Sequence, residues 1–153
     1  MIRALLKRLL RRSGWELRRV GLDDLPRLET CRAGEERFPF WIANRHTEAW
    51  WGRGQIRFDA ELAFLRSVCQ PGATVLEVGA HHGMHAVQMA RWVAPGGTVH
   101  AFESNAENAL VLAANAGIGR HDNLIVVNAA AAEKDGFSVI AGERVAASGR
   151  SVP

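Results

Sequence analysis

The sequence predicts an α/β domain built on a parallel sheet with helices on both faces, and three observations carry that reading. A near-continuous apolar run, Thr74–Val78, broken only by Glu77, leads into the loop Gly79-Ala80-His81-His82-Gly83. A strand covered on both faces reads in this way, without strict alternation. A second run, Thr98–Phe102, closes on Glu103, and a third spans Asn123–Asn128. Helix-length segments separate the three runs, and strands alternating with helices in this order make βαβ units.

The chain opens on an arm. Ile2, Leu5, Leu6, Leu9 and Leu10 follow i, i+3, i+4, i+7, i+8 and predict an amphipathic helix with its cations opposite the apolar stripe. Residues 1–19 hold seven basic side chains against Glu16, a net +6 in a chain whose total is +3, so the remaining residues sum to −3. The basic character therefore belongs to the arm, and no specific nucleic-acid binding is expected of the body. The arm is too charged in its middle for a signal peptide, and no stretch reaches the roughly 20 apolar residues of a membrane span. Its expected use is packing on the domain or a partner, or peripheral contact of residues 1–12 with an anionic membrane surface. The expected location is cytoplasmic, at most peripheral at the inner membrane face.

Residues 20–57, with Trp41, Trp50, Trp51, Arg45 and Arg53, read as an irregular cap whose aromatics supply core area. Asp59–Gln70 reads as an amphipathic helix stopped by Pro71-Gly72. The expected organisation is thus an arm over 1–19, the cap over 20–57 and a partial cofactor-binding domain over 58–153. Met84–Val93 carries apolar residues at 84, 87 and 90 and stops at Ala94-Pro95-Gly96-Gly97. Ser104-Asn105-Ala106-Glu107 fits a capping box opening an Ala/Leu-rich helix to about Ala116.

The loop is the candidate site. Gly79 permits a tight turn and close approach of a ligand, and Gly83 opens the next helix. Glu103 lies about 20 residues after Gly83, the offset expected of an acid that accepts hydrogen bonds from ribose hydroxyls. The spacing is E-x-G-x-x-x-G, with His81 where a dinucleotide fingerprint would carry its middle glycine. That absence counts against the competing reading, a nicotinamide-dependent oxidoreductase.

The segments VLEVGAHHG, TVHAFES, NAENALVLAANAGI and LIVVNAAAAEKDG, with the strand-like FSVI, together resemble the FkbM family of S-adenosylmethionine (SAM)-dependent methyltransferases over roughly Phe58 to Ile140. The resemblance implies a Rossmann-like class I methyltransferase fold, entered through an α-rich N-terminal extension. It implies SAM held by Glu77, Gly79, Ala80, His81, Gly83, Glu103 and Ser104, with Glu77 under the amino-acid end and adenine near Asn128–Ala130. The acceptor would be a hydroxyl on a sugar, glycan or other small metabolite. Family members usually carry Asp at the position of Glu77, Asn at that of His81 and often Pro at that of Ser104. The FSVI strand belongs to an added hairpin, and a later acidic segment of D-x-E-G type has no counterpart here. The fold is therefore expected to stop after its third core strand, and residues 1–153 alone are expected to be poorly soluble or loosely folded, to bind SAM weakly if at all, and to show no methyl transfer. A non-catalytic binding module is the third reading.

No residue identifies a catalytic base. His81 and His85 could share a helical face, but a zinc site needs three or four converging ligands and no Cys is near in sequence, so no metal is expected. Cys31 and Cys69 stand alone and suggest no disulfide framework.

Overall fold

The computed structural model describes residues 26–51, 54–56, 60–133, 139–141 and 150–152. The basic arm lies outside them. The first described elements correct the reading of an irregular, α-rich cap. Strands β1 (Arg27–Ala33) and β2 (Glu36–Ile42) form an antiparallel hairpin with Cys31 opposite Phe38. Helix α1 (Arg45–Trp51) follows, and the short strand β3 (Gln55–Ile56) pairs parallel to β1. The cause is a period-two pattern that composition hides: Cys31, Ala33, Phe38, Phe40 and Ile42 are buried while residues between them are exposed. Gly34, at φ 60°, takes the left-handed conformation of the two-residue turn.

The second unit follows the sequence closely. Helix α2 (Ala60–Val68) leads to β4 (Thr74–Val78), α3 (Met84–Val93), β5 (Thr98–Phe102), α4 (Ala106–Ile118) and β6 (Leu124–Val127). The sheet order is β4-β5-β6, all parallel, with Glu77 opposite Ala101 and Ala101 opposite Val126. The cap of α4 differs from the expected capping box: Asn105 is the N-cap, and its side chain accepts from the Asn108 N–H. Glu107 therefore sits one residue too early to reach back from the third helical position. Near the C-terminus, β7 (Val139–Ala141) and β8 (Arg150–Val152) pair antiparallel.

One core joins the two units. Phe38, Phe40 and Ile42 of the hairpin share it with Met84, Val87, Ala90 and Val93 of α3, with Leu112 and Ala116 of α4, and with Val99, Ala101 and Leu124 of the sheet. Polar clamps fix the hairpin on the helices. The Trp41 N–H donates to Asn115 Oδ1 at 2.6 Å, and Trp92 Nε1 donates to Glu36 Oε1 at 3.2 Å. Arg91 lies 3.5 Å from the same Glu36 carboxylate and stacks over Phe38.

Helices on both faces of the sheet were expected; among the described residues they cover one. Val99 and Ala101 are fully buried in the core shared with α3 and α4, whereas Leu76 is 68% and Val78 65% exposed on the opposite face, where Ile125, two strands away, is half-open. No helix among the described residues is long and apolar enough to cross a membrane.

Candidate functional site

The site sits where β4 and β5 end side by side. The chain leaves β4 through Gly79, at φ 81°, and crosses over the end of β5, with the N–H groups of Gly79 and Ala80 both donating to the Phe102 carbonyl at 2.8 and 3.0 Å. His81 follows at φ 52°, uncommon for a residue with a side chain. The Gly83 N–H donates to the Ala80 carbonyl at 2.8 Å, closing the turn, and the Gly83 carbonyl accepts the first bond of α3, from Val87.

Glu103 holds this loop in place. Its Oε2 accepts from the His81 N–H and its Oε1 from the Asn105 N–H, each at 2.8 Å. The residue is 6% exposed. One carboxylate thus ties the glycine loop to the start of α4. A carboxylate oxygen offers two lone-pair sites, so each oxygen retains one acceptor position for a ligand hydroxyl. Asn128 adds a second tie, donating from Nδ2 to the Glu103 carbonyl at 2.8 Å and to the Ser104 carbonyl at 3.3 Å. The end of β6 is thereby held beside Glu103, where the adenine was placed by resemblance.

Of the sequence-predicted residues, Glu77, Gly79, Ala80, His81, Gly83, Glu103 and Ser104 all lie at this strand edge. One expected role changes. The loop N–H groups of Gly79, Ala80, His81 and Gly83 are committed to protein acceptors, so the loop itself is not an open anion nest. The N–H groups at the start of α3 precede its first ladder bond and so have no acceptor within the helix.

Glu77 is enclosed. Its Oε2 is buried without a hydrogen-bond partner, and burial pushes the carboxyl up to about 7. A buried carboxyl with no partner is costly when ionised, which suits a site that awaits a cation. At Gly79 an added Cβ would meet nothing within 4 Å, so the turn opens on free space. An acid without a partner, an open glycine turn and a strand-end carboxylate with acceptor capacity fit a cofactor bearing an ammonium group and a ribose.

His81 and His82 occupy a turn and His85 lies in α3, which begins at Met84, so His81 and His85 do not share a helix face. The His81 ring stacks on His82 at 4.2 Å between centroids. His82 is 1% exposed; its Nε2 pairs with Asn108 Oδ1 at 3.1 Å, while Asn115 Nδ2 donates to the His82 carbonyl. Burial and then the neighbouring His81 push its imidazole down to about 4, so it is neutral at pH 7. His82 is a structural link between the loop and α4. Among the described residues no group of three or more His, Cys, Asp or Glu side chains is placed to hold a metal. Both cysteines are free and buried, and burial pushes the Cys31 thiol up to about 11.

Sequence reasoning placed Trp50 and Trp51 in a cap but not against this loop. Trp50 and Trp51 lie 5.4 and 6.3 Å from the His81 ring, across 31 and 30 residues of chain. No periodicity signals such a contact; the adjacent tryptophans were visible only as composition.

Glu103→Ala is expected to lower the ligand-free stability by about 1–3 kcal/mol, because two backbone donors lose their acceptor. Glu103→Gln, which keeps one acceptor oxygen, is expected to lose less. Thermal unfolding of the three proteins decides it, and an alanine variant as stable as the parent would remove Glu103 from the role of clamp.

No family model matches the chain, and no curated protein sequence matches it. Solved structures do resemble it. One is a SAM-dependent methyltransferase from Aquifex aeolicus, 22% identical with a TM-score of 0.42, covering 46% of this chain and 38% of its own. Another is a SAM-dependent O-methyltransferase from Thermotoga maritima, 21% identical with a TM-score of 0.44, covering 65% of this chain and 40% of its own. A third, from Plasmodium falciparum and assigned as a protein-L-isoaspartate O-methyltransferase, was solved with S-adenosyl-L-homocysteine (SAH); it is 18% identical with a TM-score of 0.41, over 69% of this chain and 44% of its own. The chain therefore spans less than half the length of each of these structures.

Proposed function

We propose that this chain carries the cofactor-binding part of a SAM-dependent methyltransferase of the FkbM type, directed at a hydroxyl oxygen of a sugar or other small metabolite. The observation that carries the reading is the pairing of two acids at adjacent strand ends, Glu103 with spare acceptor sites and Glu77 with one buried oxygen left without a partner. Glu103 would receive the ribose hydroxyls. Glu77 would sit under the ammonium end, and the first turn of α3 would present N–H groups to the carboxylate. Bound there, SAM supplies an electrophilic methyl group. The chain's own residues contribute alignment, which is the larger part of what an in-line transfer needs.

Isothermal titration with SAM, SAH and NAD tests this. SAM and SAH are expected to bind and NAD is not, because His81 occupies the place of the middle glycine that lets a pyrophosphate approach. Glu103→Ala is expected to weaken SAM by about 5- to 150-fold, the equivalent of about 1–3 kcal/mol for a lost charged acceptor. Binding of NAD in preference to SAM would replace this reading with the oxidoreductase one.

A further inference from the structure

Trp50 and Trp51 come from α1, outside the βαβαβ unit, yet both rings reach His81. Their surroundings differ. Trp51 packs edge-on against the fully buried Phe40, with ring centroids 5.5 Å apart, and so is anchored to the core. Trp50 rests on Trp51 at 5.4 Å and on His81 at 5.4 Å, and remains 53% exposed. An indole supported from two sides with a large open surface is a rigid aromatic wall.

Where that wall stands relative to the cofactor follows from covalent structure. In SAM the sulfonium sulfur lies between the ribose and the amino-acid chain. Residues proposed to hold those two ends are Glu103 and Glu77, with Gly79 beside the latter. His81 is tied to both by the chain and a bond: it is two residues beyond Gly79, and its N–H is bonded to the Glu103 carboxylate. On the proposed placement of the two ends, the sulfonium would lie close to His81, the residue against which the tryptophans are packed. The other ring stacked on His81 is His82, which is neutral at pH 7 and adds no opposing charge.

We infer that the Trp50 indole faces the sulfonium position beside His81 and gives the site a preference for SAM over SAH. The physical cause is the attraction of a cation to the negative face of an aromatic ring within about 6 Å of its centre, strongest for tryptophan. SAH has the same ribose and amino-acid ends but carries a neutral thioether, so it feels the wall as surface only. This inference rests on the cofactor reading above.

The test compares SAM and SAH affinities, by titration, for the parent chain and for Trp50→Phe and Trp50→Leu. Leucine keeps apolar packing on Trp51 and His81 without a ring, and phenylalanine keeps a weaker ring. Circular dichroism checks that each variant retains its fold. In Trp50→Leu the SAM affinity is expected to fall by about 3- to 30-fold, the range for a cation–aromatic contact, with SAH within about twofold of the parent. Trp50→Phe is expected to lie between. Equal losses for SAM and SAH, or no loss for either, would overturn the inference while leaving the cofactor reading intact. Failure of the parent chain to bind SAM or SAH would overturn both.

Discussion

Gly83→Ala is expected to destabilise the domain by about 2–5 kcal/mol, combining the strain of a left-handed residue with overpacking of a fixed core. Gly83 sits at φ 86°, and an added Cβ would run into Leu112 Cδ1. Leu112 cannot yield easily. It is fully buried in the core cluster on α4, and α4 is itself held by the Asn105 cap and the Asn115 link to His82. For a chain of this size the loss corresponds to roughly 5–20 °C in the unfolding midpoint. Adding Leu112→Ala to Gly83→Ala should relieve the clash but not the backbone strain, so the two costs should combine to less than their sum. Gly79→Ala supplies the contrast. Its φ of 81° imposes similar strain, but the new Cβ would meet nothing within 4 Å. It should cost less stability than Gly83→Ala and act on cofactor binding instead, with valine acting more strongly than alanine. Equal unfolding midpoints for Gly83→Ala and the parent would show that α3 and α4 can separate freely at the loop.

Glu77→Gln is expected to have an effect on stability that grows with pH. Burial raises the Glu77 carboxyl from its ordinary 4.5 to about 7. The folded chain holds that proton more tightly than the unfolded chain does. The resulting stability is fully present below about 4.5 and is lost as pH rises through about 7, a total on the order of 3 kcal/mol. The glutamine variant has no such loss. Its stability relative to the parent should therefore rise from pH 4.5 to pH 8, whatever the constant cost of an amide in that place. His82 works in the opposite sense, its folded imidazole being lowered to about 4. Its contribution is present above about 6.5 and is lost as pH falls through 4, so it shapes the acid side and cancels in the comparison. The same variant should bind SAM more weakly at pH 8, since the carboxylate proposed to meet the ammonium is gone. Stability gained where binding is lost is the pattern expected of an acid kept for a ligand. Denaturant titrations of both proteins at three pH values measure the first effect. A difference that stays constant with pH would mean that Glu77 is solvated in the folded chain.

The sequence by itself determined the βαβαβ unit, the loop and the candidate acids. Thr74–Val78, Met84–Val93 and Thr98–Phe102 stand where their apolar patterns placed them, because strand and helix periods, a glycine turn and a Pro-Gly stop are written locally. The hairpin Arg27–Ile42 is equally local, with alternate burial from Cys31 to Ile42, but the arginines and tryptophan interleaved with its apolar residues mask the period. Tertiary structure alone decided what the site residues do. It sets the Glu103 carboxylate on the His81 N–H across 22 residues, buries one oxygen of Glu77 and brings Trp50 against the loop from a helix outside the unit. It also leaves Leu76 and Val78 open on one face of a strand whose composition reads as buried on both. Local pattern fixes which element forms and which face is apolar. Which group meets that face, or takes a given lone pair, depends on contacts between segments distant in the chain, and a repeat of two or 3.6 residues does not encode those contacts.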